Sequence, residues 1–353
     1  KAAELAKMGE VLTNSQIGGR RNILYNGSMI CSQRGTSFTS IGGTAGVYSL
    51  DRMRYGFTMN SGRLTITQST DTPNGFANSL KVDITTAESS LNSASGAAIG
   101  QFIEGQDVQQ FKKGTSDAER YTLSFHVKSN ITGTYIVELF DQDNTRQVSK
   151  SYTIDSANTW EKKTLTFPAD TTGAFDDDNA TSLIIQWFLA SGTNTAGSSA
   201  TLNTSWASST DANRAVGQAN LFSSTDNEWY ITGVQLEVGS TATPFEYRSF
   251  GEELKLCFRY CRNFDVHNLG RTRDGDTGYS NVIVFQPPMR ATPTLASGSD
   301  FIVNSGSGGS PQIYSGATGL NPNNETIIIR NSSSNWTANV FHQLIDATFE
   351  AEL

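Results

Sequence analysis

The sequence predicts an all-β chain built around a two-layer sandwich, and three observations carry that expectation. Apolar and polar residues alternate in run after run. In RYTLSFHVK, for instance, Tyr121, Leu123, Phe125 and Val127 share one face of an extended strand and polar residues take the other. Ser, Thr and Asn are plentiful beside 32 Gly, while Lys, Glu and Leu are sparse, a balance that favours short strands and turns over helices. At 353 residues, 37% hydrophobic and 17% charged, the chain can bury a substantial core and is long enough for about two domains.

Three regions follow in order. Residues 1–20, KAAELAKMGEVLTNSQIGGR, set Leu5, Met8 and Leu12 three and four apart ahead of Gly18 and Gly19, which predicts a short helical stem and a hinge. Helices below roughly 12–15 residues rarely persist alone in water, so this one needs a partner, such as its own copies around a threefold axis. In residues 21–249, strands are expected at 79–85, 98–104, 120–128, 134–140, 160–167, 183–190 and 229–238. The last of these, opening WYITGVQLEV, stops at a Pro-containing turn. Its expected partner is the short apolar run NILYNGSM at 22–29, closed by an Asn-Gly turn signal, so one domain should run between them. In residues 250–353, Leu254, Phe258 and Cys261 recur at helical spacing and predict a short amphipathic helix. Strand-like runs follow at 281–286, 301–304, 325–330 and 340–348, separated by Gly and Ser as in NSGSGGSPQ.

Several classes are disfavoured. A net charge of −8 and a pI near 5.0 repel phosphate backbones, so nucleic acid is not an expected partner. The most apolar run, SLIIQWFLA at 182–190, is far short of the roughly 20 residues a membrane helix needs. The start at Lys1, without an initiator Met or a secretion-signal layout, predicts that the chain continues a longer polypeptide. Cys31, Cys257 and Cys261 form no disulfide framework and lack the spacing of a zinc site, so buried thiols are expected and no cofactor is. His126, His267 and His342 stand beside no nucleophile motif, and G-x-S-x-G, P-loop and H-E-x-x-H patterns are missing. Glu104, Glu138 and Asp141 remain the acids to watch for paired-carboxylate glycoside hydrolysis, whose geometry only a fold can supply.

Two sets of motifs carry resemblances. The early NILYNGSMICSQRGTS, the later Gln235-Leu236-Glu237 with Gly239, Pro244-Phe245-Glu246, Arg248-Ser249, Gly251, Glu252-Glu253-Leu254 and Cys257, and the PPMRATPT element from Pro287 to Thr294 together resemble the distal modules of tailed-phage tail fibres. The ordered series Leu80-Lys81-Val82, Gln101-Phe102-Ile103, 121–128, 137–141, 160–167 and 229–237 resembles jelly-roll carbohydrate-binding modules. Such modules often hold a structural calcium through an acid just before the last V-x-L-E; this chain has Thr232-Gly233 there, so that ion is not carried over.

The resemblances imply a jelly-roll β-sandwich over 21–249 and a smaller C-terminal β module over 250–353. They imply a virion tail-fibre subunit, a homotrimer among other virion tail proteins, that attaches to host surface polysaccharide without catalysis. The alternatives are a head-fibre or capsid-decoration protein and a polysaccharide depolymerase. Sugar binding calls for aromatic faces flanked by polar groups. Trp206, in the polar stretch ATLNTSWASSTDANR, and Trp336, in RNSSSNWTANV, are the candidates by context, with Tyr279 and Tyr314 as further aromatic candidates. Packing over the sandwich edge stands equally open for Trp206, and an intersubunit anchor is the slightly favoured alternative for Trp336, while Trp160, Trp187 and Trp229 are expected in core or edge positions. Asp176, Asp177 and Asp178 form a tight acidic cluster, weakly suited to a hard cation because successive side chains diverge; a solvated turn is the plainer expectation.

Overall fold

The computed structural model describes residues 20–264, 270–271, 278–295, 300–304, 312–315, 318–320, 326–332, 341–345 and 347–353. The helical stem expected over 1–20 therefore lies outside the described residues, apart from Arg20. By its internal contacts the chain groups into two compact units that divide between Phe250 and Gly251.

The first unit carries strands β1 (Ser37–Ile41), β2 (Val47–Tyr48), β3 (Arg54–Gly56), β4 (Arg63–Ser69), β5 (Ser79–Thr86), β6 (Gly96–Glu104), β7 (Tyr121–Ser129), β8 (Gly133–Asp141), β9 (Arg146–Ile154), β10 (Glu161–Phe167), β11 (Thr181–Ser191), β12 (Ala207–Ser208) and β13 (Glu228–Val238). They form two antiparallel sheets. Sheet A has the order β1-β4-β5-β13-β7-β10 and sheet B the order β12-β9-β8-β11-β6-β3-β2. Neighbours such as β5 and β13 come from distant parts of the sequence, the pattern of a jelly-roll sandwich.

Period-2 alternation explains the layers. Leu80, Val82 and Ile84 on β5, Tyr121, Leu123, Phe125 and Val127 on β7, and Leu183, Ile185, Trp187 and Leu189 on β11 all point into one buried core. Phe125 meets Trp187 edge-on at 5.7 Å between ring centres. Trp229 is also fully buried there.

The segment at 22–29 is no strand. Asn26 and Met29 take positive φ values of 54° and 58°, which break extended pairing. The segment is instead fastened to β13 by individual bonds. Ile23 N donates to Leu236 O at 3.0 Å and Val234 N to Gly27 O at 2.9 Å. Asn22 supplies the missing ladder through its side chain, whose Nδ2 donates to Val234 O at 2.9 Å while its Oδ1 accepts from Leu236 N at 3.1 Å. The QLE and PFE-x-R motifs close the same knot. Asn22 N donates to Glu246 Oε2 at 2.6 Å, Glu246 N donates to Gln235 Oε1 at 2.8 Å, and Arg248 donates to the carbonyls of Leu24 and Asn22.

The second unit holds all but the first residue of α1 (Phe250–Cys257) and small antiparallel sheets. Cys261–Phe264 and Thr294–Leu295 flank Ala347–Glu350, and Gly278–Val284 and Thr318–Leu320 flank Thr326–Ser332. Phe341–Ile345 and Gln312–Ser315 flank Asp300–Asn304. The helix ends at Cys257 and Cys261 opens a strand, so the helical spacing expected from Leu254 through Phe258 to Cys261 does not continue past its first member. Cys31, Cys257 and Cys261 are all buried. Among the described residues no helix is long and apolar enough to cross a membrane.

Candidate functional site

The outer face of sheet A gathers aromatic side chains that the sequence scatters. On β7, Lys128 and His126 occupy the outward phase opposite the core residues. Register places Tyr230 beside Lys128 and Lys81, and Thr232 beside His126. Trp160 precedes β10 in the outward phase of Lys162, Thr164 and Thr166, whereas Leu165 and Phe167 face inward.

Trp160 is half-buried and meets Tyr230 edge-on at 6.0 Å. Its Nε1 donates to Asp71 Oδ1 at 3.0 Å, which fixes the indole plane. Lys128 Nζ lies 4.1 Å from the Tyr230 ring centre and donates to the same Asp71 carboxylate. That donation holds the Asp71 carboxyl below its usual range, against a smaller opposing push from burial, and the Trp160 bond adds to it. Lys81 stands 5.6 Å from the Tyr230 ring centre and pairs with Glu228 at 2.9 Å. Burial, with the Glu228 bond next, pushes the Tyr230 phenol up to about 12, so it stays neutral at physiological pH.

A second aromatic group adjoins this row. Phe76, from the β4–β5 connection, packs on His126 at 5.3 Å, Phe245 at 5.1 Å and Tyr247 at 5.6 Å. Tyr247 is 63% exposed, a value that marks it as displayed rather than packed. Gly233, at φ 63°, is what lets Phe76 settle: a Cβ there would come within 2.6 Å of its ring and 2.9 Å of His126 Nδ1. Burial and the charge of Lys162 hold His126 below the ordinary imidazole range. The result is a ring-lined face in which the Lys128 and Lys81 ammonium groups lie against the Tyr230 ring and are paired with Asp71 and Glu228. Tyr230 itself is only 5% exposed, so Trp160 and Tyr247 are the rings that could meet the C–H face of a sugar, with its hydroxyls reaching the paired charges.

The residues singled out by sequence are placed differently. Trp206 is half-buried at the edge of the core, 5.9 Å from Tyr121, with Nε1 donating to Pro168 O at 3.0 Å and Lys113 Nζ 5.2 Å from its ring centre. Trp336 lies outside the described residues, Tyr279 is on Gly278–Val284 and Tyr314 on Gln312–Ser315. Trp160, assigned by sequence to a core or edge slot, is the indole that the outer face displays.

Asp176, Asp177 and Asp178 sit in an exposed turn, where the Asp176 carbonyl accepts from Gln109 Nε2 at 3.0 Å and the Asp178 carboxylate from Ala180 N at 2.8 Å. Glu138 and Asp141 lie on opposite faces of β8 and each meets its own cation, half-buried Arg214 for the first and buried Lys113 for the second. Arg214 grips Glu138 with bonds of 2.9 and 2.7 Å. Lys113 Nζ, fully buried, is surrounded by Asp141 at 2.5 Å, Asp170 at 3.1 Å and the carbonyls of Thr172 and Gly173 at 2.9 and 2.7 Å. Glu104, also fully buried, accepts from Gln106 Nε2 at 2.6 Å.

No protein family and no curated protein matches the chain. Among solved structures it is similar to the enzymatically active domain of tailspike protein 4 of bacteriophage CBA120, at 16% identity and a TM-score of 0.31 over 62% of this chain and 21% of that one. It is also similar to a putative sugar binding protein from Bacteroides thetaiotaomicron, at 14% identity and a TM-score of 0.34 over 62% of this chain and 100% of that one. A xylan-binding domain from Paenibacillus barcinonensis resembles it at 11% identity and a TM-score of 0.27, covering 63% of this chain and 96% of that one.

Proposed function

We propose that this protein is a non-catalytic glycan-binding subunit of a phage tail fibre, displayed as a homotrimer on the virion, and that its sugar-contacting surface is the outer face of sheet A. The observation that carries the reading is the Trp160–Tyr230 pair, held by Asp71 and Lys128, next to the exposed Tyr247 ring. The motifs that resemble tail-fibre modules support the setting, and those at 22–29, 235–237 and 244–248 form the knot that joins the two ends of the first unit. Single sugar sites bind weakly, and three copies on one fibre raise avidity by factors on the order of 10² to 10⁴.

The reading is tested on a glycan array with the purified protein and its Trp160→Ala variant. Array binding by the wild type should fall about tenfold in the variant, equivalent to ~1.4 kcal/mol, with the circular dichroism spectrum unchanged. Wild-type and variant protein binding the same glycans equally would remove Trp160 from the contact. Shortening of any arrayed polysaccharide would remove the non-catalytic reading.

A further inference from the structure

The chain contains two Asn-Gly pairs, Asn26-Gly27 and Asn74-Gly75, and the fold treats them in opposite ways. In such a pair the Asn side-chain carbonyl carbon lies within ring-closing reach of the next backbone nitrogen, and the missing Cβ of glycine leaves that nitrogen open. Asn26 is held away from this reaction. It is fully buried, its Nδ2 donates to the Cys31 and Asp51 carbonyls at 2.8 and 2.9 Å, and its Oδ1 accepts from Cys31 N at 2.9 Å. Gly27 is pinned as well, since its carbonyl accepts from Val234 N at 2.9 Å.

Asn74 meets none of these restraints. Both it and Gly75 are exposed, in a turn that Phe76 N closes on Pro73 O at 3.3 Å, with Gly75 in the left-handed region at φ 95°. Among the described residues nothing hydrogen-bonds the Asn74 side chain or the Gly75 N–H. The next residue along, Phe76, packs its ring on His126, Phe245 and Tyr247. The Tyr247 hydroxyl leans over the turn, so close that a Cβ on Gly75 would come within 2.9 Å of it.

We infer that Asn74 is a site of spontaneous deamidation in the folded protein, and that the reaction reshapes the Phe76–Tyr247 edge of the sheet A face. Gly75 N, on losing its proton to hydroxide, bonds to Asn74 Cγ; the Cγ–Nδ2 bond breaks and ammonia leaves, taking a proton from water. Water then opens the cyclic imide at either carbonyl, giving aspartate or its isoaspartate isomer, with no oxidant or reductant. Both products add a carboxylate to the turn, and the isomer lengthens the backbone by one carbon just ahead of Phe76.

The full chain, aged in mildly alkaline buffer and sampled by peptide mapping, tests this through the mass gained when a side-chain NH2 becomes OH. In native protein Asn74 should convert at least about tenfold faster than Asn26, because Asn26 reacts only through local opening. In urea the two rates should converge. Asn74→Gln, a substitution at an exposed position whose longer side chain closes the imide ring far more slowly, should age unchanged there. The Phe76 and Tyr247 ring resonances should shift as wild-type Asn74 converts and stay fixed in the variant. Equal native rates at Asn26 and Asn74, an Asn74 that persists natively while converting in urea, or ring resonances unmoved in fully converted protein would each overturn the inference. None of these readouts uses a glycan, so their failure is distinct from failure of the sugar-binding reading.

Discussion

Replacing Lys113 with methionine should lower the stability of the first unit by about 3–5 kcal/mol, because it strips the cation from between two buried carboxylates. Asp141 and the Lys113 side chain are fully buried and Asp170 nearly so, and the ammonium donates to both acids and to two backbone carbonyls. Asn144 Nδ2, 3.0 Å from Asp141 Oδ2, and Arg146, 2.8 Å from Asp170, cannot replace it, since both already hold these acids in place. For a unit of this size the loss corresponds to a melting point on the order of 10 °C lower. Differential scanning calorimetry reads it directly. A Lys113→Met melting point within a degree or two of wild type would mean that the cage contributes little, and addition of Asp141→Asn to the variant should recover part of the loss.

Asn22→Ala should cost about 3 kcal/mol, as it leaves a buried carbonyl and two buried N–H groups without partners. The residue is 1% exposed, and its amide substitutes for ladder bonds to Val234 and Leu236 while also accepting from Leu24 N at 3.1 Å. Urea denaturation gives the magnitude. Hydrogen exchange gives the place: the Ile23 and Leu236 amides should lose protection before the β8–β11 pair does. Protection lost uniformly across the sandwich would show that the knot is not a local closure.

Much of this architecture was readable from alternation together with runs rich in strand-forming residues. β5 and β7 announce themselves because inward apolar and outward polar positions keep step over seven or more residues, whereas β6, β8, β10, β11 and β13 are marked by apolar, β-branched and aromatic content between turn signals. β9, RQVSKSYTI, was not expected because Lys150 falls in the inward phase of Val148, Tyr152 and Ile154 and interrupts the signal. The run at 22–29 looked like a strand since its apolar content is right, but its pairing is done by the Asn22 side chain, which periodicity cannot register.

The site was less legible, for a reason of neighbourhood. Polar sequence around Trp206 left display and packing over the sandwich edge equally open; its neighbours fold over the end of the core, where Tyr121 and the Pro168 carbonyl receive the indole. Trp160 carried the opposite signal in plain view, since it shares the phase of Lys162 and Thr164 rather than that of Leu165. Phe76, Phe245 and Tyr247 come from connections far apart in sequence, and only closure of the sandwich brings them together.

The indole N–H resonances of the five tryptophans offer the most direct measurement of the sugar-binding surface. On titration with a glycan that the protein binds on the array, the Trp160 resonance should shift progressively, while those of the buried Trp187 and Trp229 should not move. A shift confined to Trp206 or Trp336, with Trp160 unmoved at saturation, would contradict the assignment of the outer face of sheet A.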